Sequence, residues 1–109
     1  MSSLEYHVLL ALAGHRLHGY AIKDAVSAES GGTLAPAAGS LYRVLARLMS
    51  SGWVTEVSPG AQAVPHPGLA RRYYALTGAG KKTLLAEADR LKRTASMAQR
   101  RLDVARSRS

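Results

Sequence analysis

Two arginines stand four residues apart in a segment with a helical pattern. Residues four apart lie on one face of a helix, so Arg43 and Arg47 present their guanidinium groups side by side. A guanidinium group can donate two hydrogen bonds to a guanine edge or to a phosphate. Ser40 adds a hydroxyl donor one turn earlier, within a small-residue stretch that lets backbone approach a ligand closely. This face is suited to binding a polyanion.

A second basic pair, Arg71 and Arg72, follows a loop that contains three of the four prolines. The pair precedes the strand-like run Tyr73–Leu76, so it would lie where a β-hairpin closes. Guanidinium groups at that place could bind phosphate or enter a minor groove. The tip of the loop, residues 61–69, has no Lys or Arg, which leaves Gln62 and His66 as its candidate contacts.

The residue types give little support for catalysis or for metal binding. The candidate metal ligands are His7, His15, His18 and His66, and the sequence has no cysteine to join them. His15 and His18 straddle a turn instead of sharing one helix face, so we expect no metal site. No serine stands in a nucleophile-elbow string and no glycine run follows a strand to hold a phosphate cofactor. We therefore expect neither enzymatic activity nor a cofactor.

The spacing of apolar residues and of helix start and stop signals predicts the elements that position these groups. Ser2 and Glu5 can form a capping box ahead of the first helix, and Thr77 is suited to cap the last one. Gly14, Gly31 and Gly52 supply stops. The predicted elements are helices over residues 3–14, 36–51 and 77–105 and strands over residues 53–57 and 71–76, with a further helix that His18 and Gly19 open and Ser30, Gly31 and Gly32 close.

The last helix carries a heptad pattern with spacings of 4 and 3, typical of a coiled-coil seam. A helix of about 28 residues is roughly 42 Å long, more than a domain of this size can cover with its own surface. We therefore expect part of the seam to pack on a second chain, with help from the first helix. The expected dimer-interface residues are Leu4, Val8, Leu84, Ala88, Leu91, Ala95, Ala98 and Leu102.

Length and charge bound the class of protein. The chain has 109 residues, enough for about one domain, and 47% of them are hydrophobic. The absence of cysteine excludes a disulfide scaffold, and the longest early apolar run, residues 8–13, is too short to cross a membrane. We expect a soluble cytoplasmic protein. The net charge of +8 lies entirely in residues 71–109, which favours a polyanionic partner.

The order of three helices, a hairpin and a final helix predicts the fold class: mainly α with a small β-hairpin, as in a winged helix-turn-helix with a long C-terminal dimerisation helix. The predicted parts are a DNA-binding domain over residues 1–76, the dimerisation helix over 77–105 and a disordered tail over 106–109. In such folds the second helix of the pair enters the DNA major groove, which here is the helix over 36–51. Arg43 would then read bases and Arg47 would touch phosphate.

Several strings, in order and at matching spacing, resemble the PadR family of bacterial transcriptional regulators. They are Leu17–Ile22, Gly39–Leu45 with Leu48, Gly52–Val54, and Arg72–Thr77 with Gly80. The single short C-terminal helix is similar to the smaller PadR subfamily. The resemblance implies a homodimer that binds a palindromic operator in double-stranded DNA, usually as a repressor and often relieved by a small-molecule effector. It also implies that Tyr42 reaches the operator.

Two other interpretations stay open from sequence. A winged helix can serve as a protein-interaction module, which the neutral first 70 residues favour. The chain could also act primarily as a small-molecule sensor, with DNA binding as the readout.

Overall fold

The computed structural model describes residues 1–59 and 72–108, with side chains described through residue 103. Within those residues, four helices and three short strands follow one another along the chain. In order they are α1 (Ser3–Ala11), β1 (Leu17–His18), α2 (Gly19–Glu29), α3 (Ala38–Ser50), β2 (Val54–Val57), β3 (Tyr73–Leu76) and α4 (Gly78–Arg108). The predicted mainly α fold with a small β element and a long final helix is confirmed.

The first helix begins as predicted and ends earlier than predicted. The Ser2 hydroxyl accepts the amide of Glu5, and the Glu5 carboxylate accepts the amide of Ser2, which completes the capping box. The regular helix ends at Ala11, and beyond it the amides of Ala13 and His15 donate to carbonyls three residues back, a tighter winding. Gly14 then adopts a φ of 79°, a conformation that favours glycine.

A third strand, β1, was missing from the sequence-based prediction. It pairs antiparallel with β3, which also pairs antiparallel with β2, so the sheet order is β1-β3-β2. His18 ends this strand and also caps α2, because its Nδ1 accepts the amide of Ala21 at 3.2 Å. The small sheet is thereby joined directly to the start of α2.

One hydrophobic core fills the space between the first three helices and the sheet. Helix α3 contributes the predicted stripe, and α1 and α2 face it. Burying a Leu or Ile side chain stabilises the folded chain by roughly 1.5–3 kcal/mol. The largest fully buried side chains are Val8, Leu9, Leu12, Ile22, Val26, Leu41, Leu45 and Leu48.

The long helix is docked on the rest of the fold by its first turn. The Thr77 hydroxyl accepts the amide of Gly80, which confirms the predicted cap, and the Thr77 amide donates to the carbonyl of Trp53. A Cβ atom at Gly80 would lie only 2.0 Å from that carbonyl oxygen. Only glycine allows α4 to approach this closely.

Beyond this first turn, α4 extends away from the core. It has 31 residues and continues through Arg108, so residues 106–108 are helical and not part of the separate tail that we predicted. The molecule is accordingly elongated, with extents of 64 × 27 × 25 Å. Among the described helices, none is both long and apolar enough to cross a membrane.

Candidate nucleic-acid interface

Helix α3 separates an apolar face from an exposed face that carries the predicted contact residues. Its buried residues are Leu41, Val44, Leu45 and Leu48. Tyr42, Arg43 and Arg47 are exposed, so the structure brings three predicted contact residues to the outward side of one helix. At its N-terminus no side chain caps α3, which leaves first-turn amides directed away from the helix. Such amides attract phosphate.

Ser40 and Arg43 are placed together near this N-terminus. The Arg43 guanidinium donates to the Ser40 hydroxyl at 3.4 Å. This long hydrogen bond holds the arginine along the leading part of the helix, where recognition helices meet base edges.

Tyr42 is partly exposed to solvent and partly packed against the neighbouring elements. It is 52% exposed, yet its hydroxyl packs over Gly19 at the start of α2, where an added Cβ would lie 2.6 Å from that oxygen. Burial raises the pKa of Tyr74 in β3, and the nearby Tyr42 and Glu56 raise it further, whereas Arg72 lowers it. Tyr42 therefore links α3 to α2 and to the sheet while keeping half of its surface exposed.

Arg47 has a protein partner that the sequence did not reveal. Its guanidinium lies 3.8 Å from the carboxylate of Glu5 in α1, and the two side chains are 59% and 14% exposed. The amide of Ser2 is the main cause that lowers the pKa of Glu5, with its hydroxyl and Arg47 acting in the same direction. Arg47 is thus tethered at the α1 side of the exposed face.

The sheet supplies one described arginine. Arg72 is exposed just before β3 and lies 3.8 Å from Glu56 of β2. Arg71, Gln62 and His66 lie outside the described residues.

Two side chains near the start of α2, one exposed and one half-buried, were not among the predicted contacts. Tyr20 is exposed, and Lys23 places its Nζ 5.4 Å from the centre of the Tyr20 ring. They lie on the first turn and a half of the helix whose N-terminus touches Tyr42. The signal that could have revealed them is an aromatic residue in the first turn of the helix that precedes α3, outside its apolar stripe.

The expected interface residues separate into two groups. Val8 has no exposed surface and belongs to the protomer core, so its assignment to a dimer interface is corrected. Leu4 and Leu84 are half-buried against that core, and Ala88 is also half-buried. In contrast, the distal members of the seam are exposed: Leu91, Ala95, Ala98 and Leu102.

An apolar groove runs between α1 and the first half of α4. Its volume is about 340 Å³, and Leu10 and Leu85 on its walls are exposed. Both lie outside the predicted seam. The groove is lined mainly by Tyr6, Leu10, Ala13, Leu76, Leu84 and Leu85.

Two of the described histidines, His7 and His18, have structural contacts. His7 contacts the carbonyl of Ser3 at 2.9 Å, and His18 caps α2 and packs edge-on against Tyr73. Within residues 1–59 and 72–108, no group of three or more His, Asp or Glu side chains is arranged to hold a metal ion.

These features define a winged-helix protein with an extended C-terminal helix. The profile of the "Transcriptional regulator PadR-like family" matches residues 8–86, and the chain belongs to this family of transcriptional regulators.

Solved structures of other family members have the same fold. A PadR family transcription regulator from Clostridium difficile is 20% identical, with a TM-score of 0.74 over 93% of this chain and 99% of that one. A PadR-like regulator from Bacillus cereus is 18% identical, with a TM-score of 0.74 over 91% and 90%. Bacillus subtilis PadR, solved in complex with operator DNA, is 25% identical, with a TM-score of 0.66 over 80% of this chain and 47% of that one.

One curated relative is similar in sequence. It is an uncharacterized 37.1 kDa protein in transposon Tn4556 of Streptomyces fradiae, 40% identical over 86 residues. The match covers 79% of this chain and 22% of that protein, so the chain spans about a fifth of the length of the curated relative it matches.

Proposed function

We propose that the protein is a homodimeric, sequence-specific DNA-binding repressor that recognises a palindromic operator. In this proposal α3 enters the major groove, residues 1–76 form the DNA-binding unit, and α4 joins two protomers. The protein requires no cofactor, catalyses no reaction and acts in the cytoplasm.

The observation that carries the proposal is the exposed face of α3. It presents Arg43 and Arg47 on a helix whose first-turn amides have no side-chain cap. Arginine side chains and free helix amides are the groups that bind guanine edges and phosphates. The family membership supports the same assignment, as does the operator complex of B. subtilis PadR.

The surroundings of α3 supply further contacts to the DNA backbone. Tyr20 and Lys23 at the start of α2 would meet phosphates on one side of the groove, and Arg72 beside the hairpin would meet them on the other. Arg71 remains a predicted contact from its position in the sequence. Ser40 and Tyr42 would contribute hydroxyl groups between these flanks. Contacts on both flanks fix the register of α3, while its own side chains read sequence.

The dimer rests on the apolar surface that one chain leaves exposed. The groove beside α1 is apolar, and the distal seam of α4 exposes Leu91, Ala95, Ala98 and Leu102. Exposed apolar surfaces of this kind mark association sites. To read two half-sites one turn of DNA apart, the dimer must hold its two copies of α3 about 34–36 Å apart. The proposed interface residues are Leu4, Leu10, Leu84, Leu85, Ala88, Leu91, Ala95, Ala98 and Leu102.

Selection of bound sequences from a random duplex pool, followed by fluorescence anisotropy, tests the proposal. The selected site should be a palindrome, bound at least about 10³-fold more tightly than a scrambled duplex at the same salt concentration. Equal affinity for both duplexes at every salt concentration would refute sequence-specific binding, and binding that is also weak and insensitive to salt would favour the protein-interaction module.

Relief of repression by a small molecule is the remaining part of the proposal. The groove between α1 and α4 adjoins the proposed interface, so a ligand there could alter the spacing of two protomers. Screening compounds for release of the selected duplex in the same anisotropy assay tests it. If no compound of a broad, chemically diverse library releases the duplex from the protein, that result would argue against effector control.

A further inference from the structure

A second cavity lies on the outer side of the sheet, away from α3. It is open to solvent and bordered by the turn after α1, by one face of β2 and β3, and by the first turn of α4, and its volume is about 420 Å³. Alternate residues of a strand share a face, and Thr55, Val57 and Ala75 point to this side, while Val54 and Tyr74 are buried in the core. The cavity shares the lining residues Gly14, Leu76 and Lys81 with the groove described above.

The polar part of this cavity is basic. His15 and Arg16 come from the turn after α1, and Lys81 comes from α4, so the basic groups converge from two separate elements. Among the described residues that line the cavity, none carries a carboxylate. Glu56 lies between Thr55 and Val57 on the strand and therefore points to the opposite face, where it pairs with Arg72.

Arg16 is anchored rather than freely extended. Its guanidinium donates to the carbonyl of Ser58 at 3.3 Å, across the end of β2. Anchoring lowers the conformational entropy that a ligand must remove from the side chain on binding. The remainder of the wall is apolar and includes Leu12, Val57 and Leu76.

We propose that this cavity binds a small organic anion. Arg16 and Lys81 hold its carboxylate or phosphate group, and Val57 and Leu76 contact its apolar body. A concave, partly apolar site with a few convergent polar groups is typical of small-molecule binding sites. The site does not depend on the proposed operator, because its residues differ from those on the exposed face of α3.

Titrations of the ¹⁵N-labelled full chain, in the absence of DNA and at constant ionic strength, test the proposal with three probes. Benzoate should cause saturable shifts of the amides of His15, Thr55 and Ala75. Benzamide, which has nearly the same shape without the charge, should bind at least tenfold more weakly. Inorganic phosphate should compete with benzoate for the same amides.

Variants assign the binding to the basic groups. The double variant Arg16→Gln with Lys81→Gln should weaken benzoate binding at least tenfold, whereas Arg16→Lys should retain most of it. Lys82→Gln is the matched control, since Lys82 is exposed beside Lys81 and does not line the cavity. Equal binding of benzamide and benzoate, equal loss in the Lys82 variant, or phosphate binding without benzoate binding would each overturn the proposal.

Discussion

The guanidinium of Arg47 in α3 lies 3.8 Å from the carboxylate of Glu5 in α1. The same carboxylate accepts the amide of Ser2 at 2.9 Å, so one group both caps α1 and restrains an arginine on the proposed DNA-contacting face. Glu5 is therefore a positioning residue for Arg47, and its charge opposes the approach of phosphate.

Removing that charge should strengthen DNA binding. Glu5→Gln should raise affinity several-fold for any duplex at low salt, because it releases Arg47 and deletes a negative charge. Arg47→Ala should weaken binding to all sequences alike and reduce the salt slope by about 1, as expected for one phosphate contact. In the Arg47→Ala background, Glu5→Gln should lose most of its effect. Glu29→Gln, at the exposed end of α2, is the charge-matched control; an equal gain there would contradict the positioning role.

The same carboxylate should contribute to acid sensitivity. The Ser2 amide stabilises the charged form, so the pKa of Glu5 in the folded chain lies below its ordinary value of 4.5. The resulting stability is fully present above about pH 4.5 and is lost as the pH falls through the folded-state pKa. Urea unfolding at pH 7 and pH 3 should therefore show a difference between wild type and Glu5→Gln that shrinks on acidification. A constant difference would show that the charge is not involved.

Arg43 should determine one base of the operator. Arg43→Ala should cost about 1–3 kcal/mol of binding free energy at the selected site and relax the preference at one symmetric pair of positions. Anisotropy against the operator and its single-base variants measures both effects. Arg93→Ala, on the exposed surface of α4, is the control for loss of one positive charge. A uniform loss across all base variants would instead identify Arg43 as a phosphate contact.

The docking of α4 should tolerate no side chain at Gly80. Gly80→Ala places a methyl group 2.0 Å from the Trp53 carbonyl oxygen, so the free energy of unfolding should fall by roughly 1–3 kcal/mol or more. Gly78→Ala is matched to it, because no atom lies within 4 Å of the new Cβ there. Thermal and urea unfolding should leave the Gly78 variant at least as stable as wild type. Similar stability of the two variants would contradict the close contact.

The exposed seam of α4 should hold the dimer together. Leu91→Glu should give monomers in sedimentation or light scattering, because a carboxylate would be buried against the partner at a cost that far exceeds one lost contact. Ala86→Glu introduces the same charge on the opposite side of α4 and should leave the dimer intact. A dimer that persists in the Leu91 variant would place the interface elsewhere.

Local signals in the sequence predicted most of the elements. The Ser2–Glu5 capping box and the stripe on α3 are set by residues three or four apart, and such short-range patterns are visible in one chain. Strand β1 was not predicted because a strand of two residues, Leu17 and His18, is too short to show an alternating pattern. It exists because β3, more than fifty residues later, offers a free edge.

Contacts between distant elements could not be predicted in this way. The sequence marked Arg47 as a basic residue on a helix face, but only the packing of α1 on α3 brings Glu5 to it. Likewise, the ring of Tyr42 rests on Gly19 because α2 and α3 cross there. The heptad pattern identified an unsatisfied apolar seam, although it assigned Val8 to that seam, and the first three helices bury Val8 completely.

The contact between Gly80 and the carbonyl of Trp53 is the point about which α4 would tilt relative to the core. About 33 Å of helix separates Gly80 from Leu102 at 1.5 Å per residue. A tilt of α4 by only about 5° at this contact therefore moves Leu102 by roughly 3 Å. Trp53 follows directly after the turn that ends α3. A displacement of the distal half of α4 is therefore passed through this contact to the turn at the C-terminal end of α3, the helix that carries Arg43.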